Sequence, residues 1–266
     1  MNPWRILGIF LRNFYLIRQS LHRIFGLFYW TTLDVFLWGF ITLWIQKIAN
    51  PNFKTNLLLF FLGALIFWHL FTRSQQTITI SFLEDVWTRN LMNIFATPIN
   101  TFELFLGLIS LSAVQSSISF LLALFLAYFL YGLNITSLGI YLLPFIFNIF
   151  FFGWSLGIFT TGLFVRFGPA VDILAWSIPV LFYPFSAVFY PVSILPQFLQ
   201  KIAFFLPTSH LFEGMRSVLK GEILLVNEIF LTIILNIIYL FISFFFFQRM
   251  LSIAKKRGTL VRFIEE

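Results

Sequence analysis

The sequence contains no cysteine. This excludes disulfide bonds, thiolate catalysis and cysteine-ligated zinc. Charged residues are also scarce, since Asp, Glu, Lys and Arg make up only 10% of the 266 residues, against roughly 25% in average soluble domains. Because so few charges cannot cover a surface in water, we expect most of the chain to face lipid or other apolar helices.

Hydrophobic residues make up 60% of the chain, including 40 Phe. They form long runs of the kind that a spanning helix needs, about 20 residues, and far longer than the roughly ten alternating residues of a barrel strand. We predict an all-α integral membrane protein in one domain, residues 1–266, with an interface helix at 1–24, a six-helix membrane region at 25–248 and a cytoplasmic tail at 249–266. The six predicted spans are about 25–46, 56–80, 104–130, 138–165, 172–190 and 225–247.

The distribution of Lys and Arg predicts the orientation, because cytoplasmic loops carry the excess of these residues. With both termini inside, the outer segments hold five of the 17: Lys47, Lys54, Lys201, Arg216 and Lys220. The inner segments hold the other twelve, including Lys255 and Arg262. The net charge of +7 therefore indicates multi-pass membrane topology with cytoplasmic termini, and not nucleic-acid binding.

The first 24 residues predict a basic amphipathic helix. Asn2 and Pro3 suit a helix start, and at about 100° per residue Arg5, Arg12 and Arg23 share a stripe opposite an apolar one. Such a helix is expected to lie flat at the cytoplasmic surface. It is either a simple membrane anchor or a docking element for a cytoplasmic partner, and the pattern alone does not separate the two.

The longest inner loop, residues 72–103, has a helical pattern and a charged patch formed by Glu84, Asp85 and Arg89. Glu84–Thr88 and Asp85–Arg89 are each one helical turn apart. A short amphipathic helix here could fit a groove on a partner protein, and the alternative is a locally paired, solvated helix.

Residues 191–224 do not fit a simple span, because Pro191, Pro196 and Pro207 interrupt a segment that is too apolar for a free loop. We expect one or two short helices that enter the outer leaflet and return, packed against protein. Glu213 and Arg216 are three residues apart and can pair. Their role is either structural bracing or contact with a transported molecule. A lone His210 is no metal site.

Polar residues inside predicted spans are candidates for function, since burying them in lipid is costly. Asp34 is expected to face the protein interior or a dimer seam, either charged or as a neutral, hydrogen-bonded acid. Gln115 and Asn148 could line a pathway or join helices by hydrogen bonds. No metal site is expected.

Two segments resemble the membrane subunit of an ABC-2 type exporter: "FLEDVWTRNLMNIFATPINTFE" in the first long inner loop and "FSAVFYPVSILPQFLQKIAFFLPTSHLFEGMR" after the fifth span. The second is the more specific, with ordered Tyr190-Pro191, Leu-Pro at 195–196 and 206–207, then Glu213 and Arg216. The resemblance covers essentially the whole chain. It implies a coupling helix at about 82–93 that meets a separate ATPase. The coupling residues would be Phe82, Glu84, Asp85, Trp87, Arg89 and Asn90.

The resemblance also implies an outer gate built by the segment with Tyr190, Pro191, Pro196 and Pro207. The sequence lacks the motif G-x-x-x-x-G-K-[ST], the usual phosphate loop, so ATP and Mg²⁺ would be bound by the partner and this chain needs no cofactor. The expected assembly has two ATPase copies and two permeases, as a homodimer or with a similar chain, in the lipid bilayer of the cell inner membrane.

The implied function is outward transport of a hydrophobic or amphiphilic cargo, such as a drug, lipid, glycolipid or polysaccharide, with ATP hydrolysis outside this chain. The alternative is a membrane-embedded lipid-modifying enzyme. That would require a cluster of carboxylates or histidines at one interface. The ten acidic residues and three His are scattered along the sequence, and no pair is spaced for acid–base chemistry. No filter motif favours a channel.

Overall fold

The computed structural model describes residues 1–48, 57–221 and 226–258. Within these ranges the regular structure is helical, with ten α-helices and no strand. The helices are α1 (Pro3–Arg18), α2 (Leu21–Ile48), α3 (Leu57–Trp87), α4 (Leu91–Ala96), α5 (Thr101–Tyr131), α6 (Leu142–Phe167), α7 (Leu174–Phe182), α8 (Gln197–Phe204), α9 (Pro207–Leu219) and α10 (Val226–Arg257).

Four of the described helical segments are long and apolar enough to cross a membrane. They are Leu21–Ile48, Thr101–Tyr131, Leu138–Val171 and Glu228–Arg257. This agrees with the predicted all-α membrane protein. The predicted second span lies in α3 and the predicted fifth in α7, neither of which is among the four. The count of six crossings therefore stays a prediction.

The N-terminal helix begins where the sequence predicts, because the Asn2 side chain accepts a hydrogen bond from the Trp4 amide at 3.0 Å and Pro3 needs no amide partner in the first turn. It ends at Arg18, earlier than predicted. The Ser20 carbonyl then accepts the Arg23 amide at 3.1 Å and starts the next helix. Arg23 therefore belongs to α2.

Helix α3 lies at the centre of the bundle, packed between α2, α5 and α6, while α10 covers α6. Gly153 and Gly157 of α6 make the close approach possible. A Cβ on Gly153 would lie 1.9 Å from the Ser74 Oγ, and one on Gly157 would lie 3.0 Å from the Ile78 Cβ. The G-x-x-x-G of this helix therefore serves a contact inside the chain, as such motifs do between membrane helices.

The predicted fifth span, 172–190, is wrong as one continuous α-helix. Helix α7 ends at Phe182, and a 3₁₀ turn covers Tyr183–Phe185. Pro184 lacks the amide that would continue the α-helical ladder. At about 1.5 Å per residue, Leu174–Phe185 rises only about 18 Å, which is less than a hydrocarbon core of about 30 Å.

Several predicted features lie partly outside the described residues. These are the outer residue Lys54, the start of the second span at 56, the start of the sixth at 225, and the tail beyond 258 with Arg262. The described part of the tail continues α10 as far as Arg257.

Candidate functional site

One end of the bundle, here called the α1 end, contains α1, the beginning of α2, the end of α3 and α4. Two ion pairs join these elements. Arg12 Nη2 lies 2.5 Å from Asp85 Oδ2, and Arg23 Nη1 lies 2.8 Å from Glu84 Oε2. Both acids predicted to meet a partner are therefore bonded within the chain, and they tie α3 to both helices that precede it.

Asp85 and Arg89 do not pair, although their one-turn spacing suggests that they would. Helix α3 ends at Trp87, and Arg89 takes a left-handed conformation with φ of 58°, so the helical spacing between Asp85 and Arg89 is lost. Asp85 Oδ1 instead accepts from Asn90 Nδ2 at 3.0 Å. The predicted coupling helix at 82–93 is therefore two segments, the last turns of α3 and the short α4, joined by a tight turn.

Of the predicted coupling residues, only Trp87 and Arg89 are exposed. Phe82 is 1% exposed and makes an edge-to-face contact with Phe247 at 5.8 Å between ring centroids, so it belongs to the core. The exposed side chains form what we call the α3–α4 turn, defined by Trp87, Thr88, Arg89, Met92 and Asn93. An apolar and basic surface of this kind suits a protein partner.

Two opposing effects act on the pKa of the Glu84 carboxyl. Burial raises the pKa of the Glu84 carboxyl above its ordinary value, because the charged form loses water, and the adjacent Arg23 guanidinium opposes that rise. The carboxyl lies at the mouth of a cleft described below.

Glu103, which directly precedes the predicted third span, anchors the N-terminus. It is 1% exposed. Its Oε1 accepts the Asn2 amide at 2.8 Å and its Oε2 the Asn100 amide at 3.1 Å, and Arg5 Nη1 lies 3.5 Å away. Arg5 and Arg12 of the basic stripe thus face acids of the same chain.

The opposite end, here called the α9 end, contains α8, α9 and the beginning of α10. Arg216 Nη2 pairs with Glu213 Oε1 at 2.9 Å, as the three-residue spacing predicted. Arg216 Nη1 also donates to the Ala187 carbonyl, and Glu213 Oε1 accepts the Val192 amide. Ala187 is left-handed, with φ of 55°, so the pair holds a strained, irregular segment in place.

The other predicted gate residues shape this irregular chain. Tyr190 donates its hydroxyl to the Pro184 carbonyl at 2.6 Å. Pro191 precedes a 3₁₀ turn, Pro196 precedes α8, and Pro207 is the first residue of α9. Each proline thus occupies a position where its missing amide costs no hydrogen bond.

His210 has both ring nitrogens engaged. Its Nε2 lies 2.7 Å from the Phe204 carbonyl and its Nδ1 lies 3.2 Å from Glu228 Oε2. Because a carbonyl can only accept, Nε2 donates to Phe204, while Nδ1 shares a hydrogen bond with the Glu228 carboxyl. His210 therefore joins α8, α9 and α10.

A cleft of about 850 Å³ runs along α2 and α3 from Glu84 and Trp87 at the α1 end to Trp38, Trp68 and Tyr183. Helix α7 supplies part of the opposite wall through Trp176 and Val180. Five of the eight Trp of the chain line it. A volume of this order fits a drug-sized molecule, for which pockets of roughly 300–1,000 Å³ are typical.

Asp34 faces this cleft, and its partner was not predicted. Asp34 Oδ2 lies 3.3 Å from His69 Nδ1, and His69 Nε2 lies 3.0 Å from Thr31 Oγ1. The signal was present in the sequence, since Asp34 precedes the end of α2 by 14 residues and His69 follows the start of α3 by 12. Antiparallel helices bring such positions to the same level.

The remaining predicted polar residues have separate roles. Gln115 lines the cleft. Asn148 accepts from Asn236 Nδ2 at 2.9 Å across the α6–α10 contact, a partner that sequence reasoning missed. Asn148 therefore joins helices, and Gln115 is placed where it can meet a bound molecule.

Together these observations define a helical membrane protein with an exposed turn tied to an N-terminal helix at one end, and a broken, braced segment at the other. The family model of the ABC-2 type transporter matches residues 12–220. The chain therefore belongs to the ABC-2 type transporter family, a family of membrane transport permeases and not of catalysts. No curated protein matches the chain significantly.

Proposed function

We propose that this chain is the membrane subunit of an ATP-binding-cassette exporter. Two copies, or one copy and a similar chain, would work with two ATPase subunits that bind ATP and Mg²⁺. The observation that supports the coupling is the exposed α3–α4 turn beside two ion pairs, Arg12–Asp85 and Arg23–Glu84. A partner that pushes this turn would move α1, α2 and α3 as one unit.

The coupling surface can be tested apart from the ion pairs, because Trp87 and Arg89 are exposed. Trp87→Ala and Arg89→Glu should each lower the amount of ATPase that co-purifies with the tagged permease. The ATPase is identified by its own phosphate loop in the recovered sequence. Lys201→Glu, at an exposed position of the α9 end, is the matched control. Undiminished ATPase recovery with both turn variants would contradict the coupling assignment.

We further propose six membrane crossings with both termini cytoplasmic. Helix α3 would be the second crossing, and α7 with the segment that follows it would replace a full fifth helix. The asymmetry of Lys and Arg supports this orientation. The chain has no native cysteine, so single cysteines can be placed at Arg18, Lys201 or Lys255 without background.

In intact cells an impermeant maleimide should label the cysteine at 201 and leave those at 18 and 255 unlabelled until the membrane is opened. A labelling result that places positions 18 and 255 on opposite sides of the bilayer would exclude the six-crossing topology.

The segment from Tyr190 to Leu219 is proposed to form a re-entrant outer gate. Helices α8 and α9 have 8 and 13 residues, too few to cross a bilayer, and α9 packs against α6 and α10. Cargo would reach the gate from the cleft along α2 and α3 and leave outward. The aromatic lining of the cleft supports a hydrophobic or amphiphilic cargo.

A further inference from the structure

The cleft along α2 contains one carboxylate between two tryptophans. Trp30, Asp34 and Trp38 all line it, and because they are spaced by four residues they share one face of the helix. The Asp34 side chain is 38% exposed, so it is open to the cleft and not sealed in the core. A carboxylate at this depth in a membrane helix is costly and requires a reason.

The histidine beside Asp34 does not need a positive charge. A neutral imidazole with its proton on Nδ1 donates to Asp34, while its Nε2 accepts from the Thr31 hydroxyl, at the 3.3 and 3.0 Å separations observed. In this arrangement Asp34 is the acceptor, which is the hydrogen-bonding role of a carboxylate.

No ion pair joins the arginines of the cleft to Asp34 in the described part of the chain, although Arg73 lies near enough for its charge to interact with that of Asp34. Arg23 pairs with Glu84 at 2.8 Å, and Arg73 donates Nη2 to the Gly26 carbonyl at 3.2 Å. Of the two acidic residues that line the cleft, Glu84 is paired with Arg23, so Asp34 is the carboxylate that no arginine holds in an ion pair. Trp30 lies one turn before it and Trp38 one turn after it, and Trp38 also stacks on Phe189 at 4.7 Å between ring centroids. Aromatic faces attract cations, the more so when water is excluded.

We propose that the Trp30–Asp34–Trp38 face is the headgroup site for a cationic amphiphile, a molecule with an ammonium or similar cation on an apolar body. The carboxylate neutralises the cation, the indoles flank it, and the wall formed by Trp68, Trp176 and Val180 takes the apolar part. This inference rests on the proposed export function and names the class of its cargo.

Two probes of matched shape and opposite charge test the proposal: tetraphenylphosphonium and tetraphenylborate. Binding is measured by equilibrium dialysis with the full chain in lipid nanodiscs, after subtraction of protein-free nanodiscs. The wild type should bind tetraphenylphosphonium saturably and in preference to tetraphenylborate. Asp34→Asn should weaken that binding at least about tenfold, the loss expected when one member of a desolvated charge pair is removed. Asp172→Asn, outside the cleft, should leave it unchanged.

A second pair of variants tests how much a tryptophan of the cleft contributes to cation binding. Trp30 and Trp44 lie on the same helix and are 58% and 63% exposed, so neither substitution opens the core, but only Trp30 lines the cleft. Trp30→Leu should weaken tetraphenylphosphonium binding by about threefold, and Trp44→Leu should not change it.

Four results would overturn the proposal: no saturable cation binding, equal loss in Asp34→Asn and Asp172→Asn, no loss in Asp34→Asn, or a preference for tetraphenylborate. The assay needs neither ATP nor the ATPase, so the two proposals can fail separately. Cation binding without a co-purifying ATPase would refute the export function alone. ATP-driven export that is indifferent to Asp34→Asn would refute the headgroup site alone.

Discussion

The two ends of the bundle use the same kinds of side chain in different ways. At the α1 end, the ion pairs Arg12–Asp85 and Arg23–Glu84 join side chains that are 73 and 61 residues apart in the sequence and lie on different helices. At the α9 end, Glu213, Arg216 and His210 direct most of their contacts to backbone groups of the irregular chain around them. The first arrangement links separate helices, and the second replaces the hydrogen bonds that a broken helix has lost.

This difference predicts that damage at the α9 end mainly lowers stability, while damage at the α1 end mainly lowers coupling. The predictions that follow separate the two, beginning with the largest effect.

Arg216→Ala should lower the free energy of unfolding by about 2–3 kcal/mol, because it removes a charged donor from the Ala187 carbonyl and leaves Glu213 without its partner. Arg216 is 6% exposed, so water cannot easily replace it. Unfolding in mixed micelles measures the change. Arg216→Lys keeps the charge but not the guanidinium geometry, and it should fall between the wild type and Arg216→Ala. Wild-type stability in Arg216→Ala would show that the α9 end is not braced.

Arg12 and Asp85 allow a charge-swap test. Arg12→Glu and Asp85→Lys alone should each abolish most ATP-stimulated export. They should also lower stability, because Asp85 is only 7% exposed and either change sets two like charges against each other. The double variant re-forms the pair in reverse and should recover much of the export. Additive losses in the double variant would mean that Arg12 and Asp85 do not act through each other.

Arg23 and Glu84 should give the smallest effect, since both side chains are partly exposed, at 34% and 23%. Glu84→Gln keeps a hydrogen-bond acceptor for Arg23 and removes the charge. It should reduce export by about twofold or less and stability by less than about 1 kcal/mol. A loss of export as large as that in Asp85→Lys would contradict this ranking and show that the Arg23–Glu84 pair contributes most to coupling.

Much of the secondary structure follows from the sequence because it depends on local chemistry. The start of α1 at Asn2-Pro3 and the Glu213–Arg216 pair are set by residues within one turn of each other. The close contact of α6 with α3 at Gly153 and Gly157 likewise depends on a local spacing of small residues. The break of the fifth span after Phe182 has its signal in Pro184, which lies inside a long apolar run.

The partners of the site residues depend on how helices rotate against one another, which local pattern does not encode. Asp85 has both Arg89 and Arg12 as possible partners. Because α3 ends at Trp87, Arg89 is not on the same helix as Asp85, and Asp85 pairs with Arg12. Glu103 was expected at a span boundary, yet its burial against Asn2 depends on where α1 crosses α5. The Asp34–His69 pair needs the register of two antiparallel helices, which the sequence gives only once both lengths are known.

The central claim is that the α3–α4 turn receives the force of a separate ATPase. It is tested most directly by a photo-crosslinker on a single cysteine at Thr88, which is exposed in a chain without native cysteine, with the same reagent at Lys201 as the control. The account predicts an adduct between position 88 and a soluble ATPase that carries a phosphate loop, and none at position 201. An ATPase adduct at position 201 instead, or none at position 88 in cells that still export, would contradict it.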